Sequence, residues 1–561
     1  MVDPITLSVL RGRLEEICDE MDATLFRAAF SPVIAEARDA SHGLYHPQNG
    51  RTLIQGKLAL PVFVGSMSFA VKGVIDRFGA EFADGDVYFL NDPYLGGTHV
   101  NDCKLVRPLF HGGKLICCLA STGHWNDVGG AIPGNMNTSA TEIFQEGLCI
   151  PPMKFIDKSV MRHDIIDMMM ANSRIPIGCY GDLHGQLNAL DLGARRLHDL
   201  LDEYGVATIE DAFAELSARA ASMMRSLIAD LPDGTYRAED YIDNDGITDA
   251  LIKIAVDVVV AGDRMKLDFS RTSQACLGPL NISYAAAVAA GYIALKHMFP
   301  EVPANSGCLD PIEFVIPENS ILHAKTPRPV GGYTETVTRV IDVIFAAIGQ
   351  AAPERGVGAP FGTMNTVTLG AVEPNGRRWV FLTFFGGGHG GNWHADGLNN
   401  GNAALGMATN PPAEILEAAY PVRFTQWALR PDSGGAGRHR GGLGVIIEFE
   451  LLRGEGRLSV FGDRARSQPP GVGGGLPAMP TRVSILDASG TRDLPLGAKV
   501  AGMILRGGQR LRIETPGGGG YDVPAERDRA AIATDLRLGY VTEEAVTAAY
   551  GAEAAGVAVP A

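Results

Sequence analysis

The sequence predicts an α+β protein of several domains, with a mixed α/β N-terminal part, a glycine-rich and β-rich C-terminal module and a helical tail. Its 561 residues are too many for one ordinary hydrophobic core. Helical and strand periodicities alternate in the first half, whereas turn glycines separate short strands in the second half. We therefore predict an N-terminal α+β domain over residues 1–235, a central α/β domain over 236–425 and a β-rich module with a helical tail over 426–561.

The individual elements follow from the spacing of apolar residues. Asp3 and Pro4 begin a helix that runs to about Ala29, and we expect short strands and loops from Ser31 to about residue 119. Leucines at helical spacing predict helices over 159–231, strands are expected over 235–270, and a further helix over 282–298. In the C-terminal part we predict strands at 443–452, 457–463, 481–486 and 510–514 and helices at 523–538 and 542–550.

Composition and charge exclude several classes of function. A net charge of −16 argues against a nucleic-acid partner, because phosphate contacts require clustered lysines and arginines. No apolar run is long enough to span a membrane, and the first residues lack the basic and apolar segments of a secretory signal. The eight cysteines are scattered without a Cys-x-x-Cys motif. We expect a cytoplasmic protein with neither a membrane nor a nucleic-acid partner.

One four-residue pattern occurs twice and predicts a metal site. Both His99–Asp102 and His124–Asp127 read His-x-Asn-Asp, and each follows an apolar run that is typical of a strand. The ring nitrogen of histidine suits Zn²⁺ or Mn²⁺, and the carboxylate supplies negative charge. An isolated histidine is more often a hydrogen-bonded interior residue, and a loop aspartate is most often a turn cap. The repetition favours metal binding by the two histidines, and we take His99, His124 and Asp127 as candidate catalytic residues.

Two further residues are candidate ligands from other segments. Asp39, within Glu36–Ser41, offers another carboxylate. Cys149 offers a soft sulfur ligand, although a small buried apolar residue is the more usual role for such a cysteine. A metal held by these side chains could lower the pKa of a bound water or polarise a carbonyl as a Lewis acid, and the sequence does not choose between the two.

Other motifs argue against nucleotide binding and serine chemistry in this chain. The glycine runs at 386–391 and 517–520 lack the Gly-Lys-Ser/Thr ending of a P-loop and the spacing of a dinucleotide-binding loop. No Gly-x-Ser-x-Gly motif occurs, so a serine hydrolase is not expected. Arg464 and Arg466 beside Asp463 suit an anion site or a surface ion pair, and we expect the ion pair. Any nucleotide in the reaction is expected on another chain.

Taken in order, these segments resemble the hydantoinase B/5-oxoprolinase family, nearly from end to end. The most recognisable stretch is Asn91–His99, and Asp127–Gly130 and Glu146–Pro152 continue it. In the C-terminal half, Leu429–Gly437 and Arg440–Gly444 are equally specific. The order of so many matches identifies the chain as a member of this family.

The resemblance implies one subunit of a hetero-oligomeric, ATP-dependent enzyme that opens a small cyclic amide such as a hydantoin, 5-oxoproline or a lactam. A partner similar to hydantoinase A would bind ATP and Mg²⁺, and the phosphorylated intermediate that it makes would reach this chain. The resemblance also implies a divalent metal, Zn²⁺ or Mn²⁺, held by Asp39, His99, Asp102 and His124, with Asp127 as a ligand or as support for one.

Two alternatives stay open alongside this interpretation. Relatives in larger complexes carboxylate ketones with ATP and bicarbonate, and a chain that only holds the ATPase would need no metal at all. The chain also departs from the family pattern: it has Trp125 in place of a second histidine, His46 in place of a common aspartate and Leu60–Val64 in place of a histidine-flanked Pro-Val segment. These changes indicate a more apolar substrate pocket.

Overall fold

The computed structural model describes residues 2–551 and Ala554, and combines helices with several sheets as the predicted α+β class requires. Its helices α1 to α11 are Pro4–Ala28, Pro32–Ala35, Pro61–Phe78, His163–Ala171, Pro176–Tyr204, Val206–Ala229, Tyr284–Met298, Tyr333–Ala351, Ala413–Ala419, Arg529–Arg537 and Glu543–Tyr550. Its strands β1 to β20 are Ala40–Tyr45, Thr52–Gln55, Val87–Leu90, Asp102–His111, Lys114–His124, Met153–Asp157, Val160–Met161, Gly234–Ile242, Ile252–Ala261, Arg264–Asp268, Ile312–Val315, Thr366–Val372, Arg378–Thr383, Val422–Leu429, Val445–Leu451, Glu455–Phe461, Arg482–Asp487, Gly490–Asp493, Lys499–Arg506 and Arg510–Glu514. Within the described range, none of the helices joins the length and the apolar composition that a bilayer span requires.

The N-terminal half is built on a seven-stranded antiparallel sheet in the order β2-β1-β5-β4-β3-β6-β7. Helices α1 and α5 pack against each other and cover one face of this sheet, where their apolar sides share a core with it. Helix α1 begins as predicted, because the carboxylate of Asp3 accepts hydrogen bonds from the backbone N–H groups of Ile5 and Thr6. Helix α3 covers the opposite face and packs on aromatic residues of β1 and β3.

The prediction of strands and loops up to about residue 119 was wrong over Pro61–Phe78, which forms α3. This helix lies between the sheet and α7, and a Cβ on Gly65 would come within 2.7 Å of Ala289. A helix covered on two sides carries apolar residues around most of its circumference, so helical periodicity is weak. The predicted helices over 159–231 and 282–298 are confirmed as α4 to α7.

The central part packs α7 and α8 against a second sheet in the order β11-β10-β9-β8. In strand β9 every second residue from Ile252 to Val260 is buried, as in a strand with one covered face. Helix α8 was not predicted, because the second half of the chain was expected to hold short strands separated by turn glycines. Nearly all of its side chains are buried, which removes the polar stripe that marks a surface helix.

The C-terminal part is a sandwich of two sheets, β13-β12-β16-β19 and β14-β15-β20-β17-β18, whose apolar faces share one core. All four strands predicted here are confirmed, and so are helices near both predicted tail positions. Strands β12 and β13 belong to this sandwich although they precede residue 425. The predicted boundary at residue 425 therefore lies within the sandwich that the two sheets form. The domain limits stay a prediction, and residues 552, 553 and 555–561 of the third predicted domain lie outside the described residues.

The glycine runs form a bundle of closely packed backbones rather than a nucleotide loop. Segments 386–391, 434–442 and 517–520 lie side by side and exchange backbone hydrogen bonds, such as Gly518 N–H to the carbonyl oxygen of Gly442 at 3.0 Å. A Cβ on Gly441 would lie 1.8 Å from the carbonyl oxygen of Gly518. Only glycine permits backbones to approach this closely, so these residues have a packing role.

A buried ion-pair cluster joins α8 to the C-terminal sandwich. The guanidinium of Arg339 is fully buried and lies 2.7 Å from Asp463 and 3.2 Å from Asp240 of β8. Arg464 is fully buried as well and lies 2.8 Å from the same Asp240. The expectation of a surface ion pair was therefore wrong for Arg464, whereas Arg466 does pair at the surface. With its charge compensated inside the protein, Arg464 is not available to an external anion.

Candidate metal centre

A β-hairpin brings the two His-x-Asn-Asp segments together. Strand β4 begins at Asp102, strand β5 ends at His124, and antiparallel pairing places these two residues opposite each other. His99 stands three residues before β4. Because the turn of the hairpin lies midway between the two segments, a separation of 25 residues puts His99 beside His124.

The imidazole rings of His99 and His124 face each other. Their Nε2 atoms are 3.2 Å apart, and the side chains are almost completely buried. Two nitrogens that bind one Zn²⁺ at about 2.0–2.1 Å in tetrahedral geometry stand about 3.3 Å from each other. The observed separation therefore suits two ligands of a single ion.

Asp102 orients His99. Its Oδ2 lies 2.7 Å from Nδ1 of His99 and also accepts a hydrogen bond from the hydroxyl of Thr98. A carboxylate accepts and does not donate, so the ring proton of His99 is on Nδ1 and the lone pair of Nε2 points at His124. This carboxylate–imidazole arrangement is the one that orients histidine ligands in metal sites.

Two buried polar atoms at this place lack a partner within the described part of the chain: Oδ1 of Asp102 and Nδ1 of His124. Unsatisfied buried polar atoms are uncommon in native proteins and often mark an ion or a water site. Among the described residues, the side chains whose ligand atoms lie within 4.8 Å of one another are His99, Asp102 and His124. The donor set of two imidazoles and one carboxylate fits a divalent cation such as Zn²⁺ or Mn²⁺.

The electrostatics of the cluster agree with this fit. Burial, with the neighbouring His99 adding, lowers the pKa of His124 to about 3, so its ring is neutral and able to bind a cation. Burial disfavours the charged form of Asp102, but the adjacent His99 ring, which donates a hydrogen bond to it, outweighs burial and holds the pKa of Asp102 below its ordinary value. The site thus presents a neutral ring and a carboxylate that is ionised at neutral pH.

Asp39 faces the same cavity from the loop between α2 and β1. Its backbone carbonyl accepts a hydrogen bond from the N–H of His124 at 3.1 Å, and its half-buried side chain lines the cavity with His99 and His124. Burial, with the nearby charge of Asp102 adding, raises the pKa of Asp39 well above its usual range. A cation between these carboxylates would favour the charged form of both.

Asp127 was predicted as a ligand and a catalytic residue, and the structure gives its carboxylate another role. One oxygen accepts hydrogen bonds from the backbone N–H groups of Gly129 and Arg174, and the other accepts from Gly134 N–H and the Arg174 guanidinium. These four bonds occupy the lone pairs of both oxygens. A metal would have to displace some of them, so we leave Asp127 out of the proposed ligand set.

Cys149 is not in the cluster of potential ligands found among the described residues. It packs at the edge of the N-terminal core. Burial, with the charges of Asp92 and Glu146 adding, raises the pKa of its thiol to about 12. Because the thiolate is the form that binds metals, we leave Cys149 out of the ligand set as well.

The cavity beside the two histidines has mostly apolar walls. Leu60 and Val62, from the segment that departs from the family pattern, contribute to these walls. The remaining wall residues come from distant parts of the chain: Met136, Gly331, Tyr333, Thr334, Met364, Thr366, Leu382, Phe384, Asn402, Leu405, Gly406 and Ala408. The predicted apolar character of the pocket agrees with these walls.

Sequence reasoning missed Tyr333 and Thr98. The ring of Tyr333, the first residue of α8, packs against His99 with centroids 4.8 Å apart and planes tilted by 42°, and it restrains that imidazole. Thr98 restrains Asp102 through its hydroxyl. Thr98 could have been found from its place directly before the first His-x-Asn-Asp segment, whereas Tyr333 lies in an unpredicted helix and gave no signal.

A second cluster around a histidine has the Ser-His-Asp arrangement of a serine-hydrolase triad, but a substrate cannot reach it. Ser121 Oγ lies 2.9 Å from Nε2 of His42, whose Nδ1 lies 2.7 Å from Asp22. All three side chains are completely buried, so a substrate could not reach the hydroxyl. The cluster has a structural role, in agreement with the missing Gly-x-Ser-x-Gly motif.

Comparison with known proteins gives matches along nearly the whole chain. A family model described as hydantoinase B/oxoprolinase matches residues 3–524. The beta subunit of the caprolactamase of Pseudomonas jessenii is 32% identical over 98% of this chain and 96% of its own length. The B-type subunit of a putative D-/L-hydantoinase of Pseudomonas sp. strain NS671 is 30% identical over 98% of this chain and 95% of its own length.

Solved structures share the fold. The ATP-dependent caprolactamase from Pseudomonas jessenii superposes with a TM-score of 0.90 at 30% identity, covering 98% of this chain and 96% of that one. A chain of acetone carboxylase in its nucleotide-free structure has a TM-score of 0.89 at 19% identity, covering 98% of this chain and 79% of that one. The second similarity, at such low identity, concerns the fold alone.

Proposed function

The chain belongs to the hydantoinase B/oxoprolinase family, and on that basis we propose that it is the metal-dependent catalytic subunit of an ATP-dependent cyclic-amide hydrolase. Relatives named as components of a caprolactamase and of a hydantoinase support the reaction class. The observation that carries the catalytic assignment is the pair of facing Nε2 atoms, 3.2 Å apart, at the wall of a mostly apolar cavity.

In this proposal four side chains hold the ion. His99 and His124 bind through ring nitrogens, and Asp102 and Asp39 supply two negative charges that balance a divalent cation. Asp102 keeps the proton of His99 on Nδ1, so that Nε2 stays directed at the ion. Bound there, Zn²⁺ or Mn²⁺ would supply Lewis-acid chemistry to a carbonyl or to a water.

The residues around the proposed ligands position the substrate. Tyr333 restrains the ring of His99 by packing against it. The apolar walls, to which Leu60 and Val62 contribute, hold a small ring and limit the entry of water. Thr334 and Thr366 place hydroxyl groups at the same cavity, where they can donate to or accept from a ring amide.

The proposal assigns ATP and Mg²⁺ to a hydantoinase A-like partner chain. The sequence contains no P-loop or dinucleotide-binding motif, and the glycine runs that came nearest to one pack against each other instead. Opening a resonance-stabilised amide becomes favourable when it is coupled to ATP. We place the complex in a reducing cytoplasm, since all eight cysteines are free thiols.

Metal analysis and a coupled assay test the proposal. The purified chain should contain about one Zn²⁺ or Mn²⁺, and His99→Ala and His124→Ala should lose it. Mixed with the partner and ATP, both variants should hydrolyse a lactam or hydantoin more than about 100-fold more slowly, as removal of a metal ligand does. His163→Ala, which changes an exposed histidine at the start of α4, is the matched control.

Two other outcomes would overturn this proposal. A scaffold that only holds the ATPase predicts no metal and full activity in both histidine variants. A carboxylase component predicts that labelled carbon from bicarbonate enters the product of a ketone substrate. The resemblance in fold to acetone carboxylase makes this labelled-bicarbonate assay a necessary part of the experiment.

A further inference from the structure

The cavity beside the proposed metal ligands is poor in charge. Apart from the two histidines, Asp39 is the only titratable wall residue of a type that is charged at neutral pH, and the described wall residues include no lysine or arginine. The polar side chains that remain are neutral: the hydroxyls of Tyr333, Thr334 and Thr366 and the amide of Asn402. The amide of Asn402 is engaged with the backbone of its own loop.

A buried lysine lies close to the proposed metal ligands but does not add a positive charge to the cavity wall. The ammonium of Lys104 donates a hydrogen bond to the carbonyl oxygen of Asp102 at 3.1 Å and lies over the ring of Phe63 at 5.9 Å. Its side chain is completely buried and is not part of the cavity wall. Lys104 therefore does not offer its charge to a ligand in the cavity.

A carboxylate on the substrate would meet unfavourable surroundings here. It would lose its hydration to apolar walls such as Leu60 and Val62 without gaining a cationic side chain, and it would stand in the same small cavity as Asp39. The two charges of a divalent ion would already be balanced by the two ligand carboxylates. An uncharged ring avoids all of these costs.

We propose that the substrate is an uncharged cyclic amide, a lactam or hydantoin without a carboxylate, and that 5-oxoproline is excluded. This inference rests on the proposed function, since it names the substrate class of that same cavity. The overall reaction consumes two waters: one is added across the ring C–N bond, and the other accounts for the conversion of ATP to ADP and phosphate with the partner. A neutral lactam then leaves as an amino acid with a free carboxylate and a free ammonium group, which the same apolar walls hold weakly.

A matched set of five-membered rings separates charge from size. The probes are 2-pyrrolidinone, 5-oxoproline and the methyl ester of 5-oxoproline, and their binding to the Zn²⁺-loaded chain is measured by saturation-transfer NMR. We expect the first and third to bind within about tenfold of each other and 5-oxoproline to bind at least about 100-fold more weakly at pH 7. Equal or tighter binding of 5-oxoproline, or no binding of the uncharged rings, overturns the inference.

A cation placed in the wall should reverse the preference. Val62→Lys should bind 5-oxoproline at least about tenfold more tightly than the natural chain does. Thr334→Lys, at a half-buried wall position, serves the same purpose if the first variant does not fold. Leu58→Lys, at an exposed position nearby, should leave the preference unchanged.

Binding and hydrolysis together tell the two proposals apart. Uncharged rings that bind but are not opened with partner and ATP would refute the hydrolase while the selectivity for neutral rings stands. Hydrolysis of 5-oxoproline as fast as that of 2-pyrrolidinone would refute the selectivity while the hydrolase stands.

Discussion

Replacing Asp102 with asparagine removes one negative charge from the proposed metal centre without changing the shape of the side chain. The carboxylate oxygen that now accepts from Nδ1 of His99 at 2.7 Å can be exchanged for an amide NH₂, which would move the ring proton to Nε2. Loss of an orienting partner alone weakens metal binding by about 10–100-fold. Asp102 also has a buried oxygen, Oδ1, without a partner among the described residues, and one of its carboxylate oxygens lies within 4.8 Å of the ligand atoms of the two histidines, so we expect a loss above this range.

Competition with a chromogenic chelator measures this loss as a change in the Kd for Zn²⁺. Thr98→Val is the graded comparison, because it removes only a hydrogen bond to Asp102 and leaves the charge in place. We expect it to weaken binding by about tenfold, less than Asp102→Asn does, since a hydrogen bond to a charged group contributes about 1.5 kcal/mol or more. Binding by Asp102→Asn within tenfold of the natural chain would refute the assignment of this carboxylate to the site.

Three further predictions concern stability. Burial raises the pKa of Glu146 to about 8, so the folded protein holds a proton that the unfolded chain has released. The free energy of unfolding therefore falls by about 1.4 kcal/mol per pH unit as pH rises towards 8. Urea unfolding at several pH values should show a smaller slope in Glu146→Gln, and an unchanged slope would contradict the reasoning. Arg339→Met leaves buried carboxylates uncompensated and should cost about 3–5 kcal/mol in urea, whereas the exposed Arg466→Met should stay within about 0.5 kcal/mol. Gly441→Ala should lower the free energy of unfolding by about 3 kcal/mol or more, because its Cβ would lie 1.8 Å from a carbonyl oxygen. Gly12→Ala, in open space on α1, should be neutral or stabilising. Similar Tm values for these two variants would argue against the packing role of the glycine bundle.

The elements that could be predicted are those with one covered and one exposed face. Helix α1 shows this in its apolar stripe and in the cap at Asp3, and strand β20 in the alternation that buries Leu511 and Ile513. Helices α3 and α8 could not be predicted in the same way, since neighbours cover them on more than one side. Hydrophobic periodicity indicates that one side of an element faces water, and it weakens when neighbouring elements cover most of a helix.

In the candidate site, too, some residues could be predicted from the sequence and others could not. The repeated His-x-Asn-Asp pattern pointed to His99, Asp102 and His124, which the hairpin then places together. Asp127 belongs to the same pattern, but the backbone and guanidinium of Arg174, far along the chain, occupy its carboxylate. Hydrogen-bond partners contributed by another segment leave no mark on the local sequence.

By itself, the sequence determined the fold class, the family and the histidines of the candidate centre, because residue type and short-range spacing carry that information. Only the tertiary structure decided which carboxylates are free to face a cation, that Arg464 is buried, and that the cavity has neutral, apolar walls. Those walls combine Leu60 with Tyr333, Met364 and Leu405, residues hundreds of positions apart. Their meeting depends on the simultaneous packing of the sheets and helices, a long-range property that local periodicity does not contain.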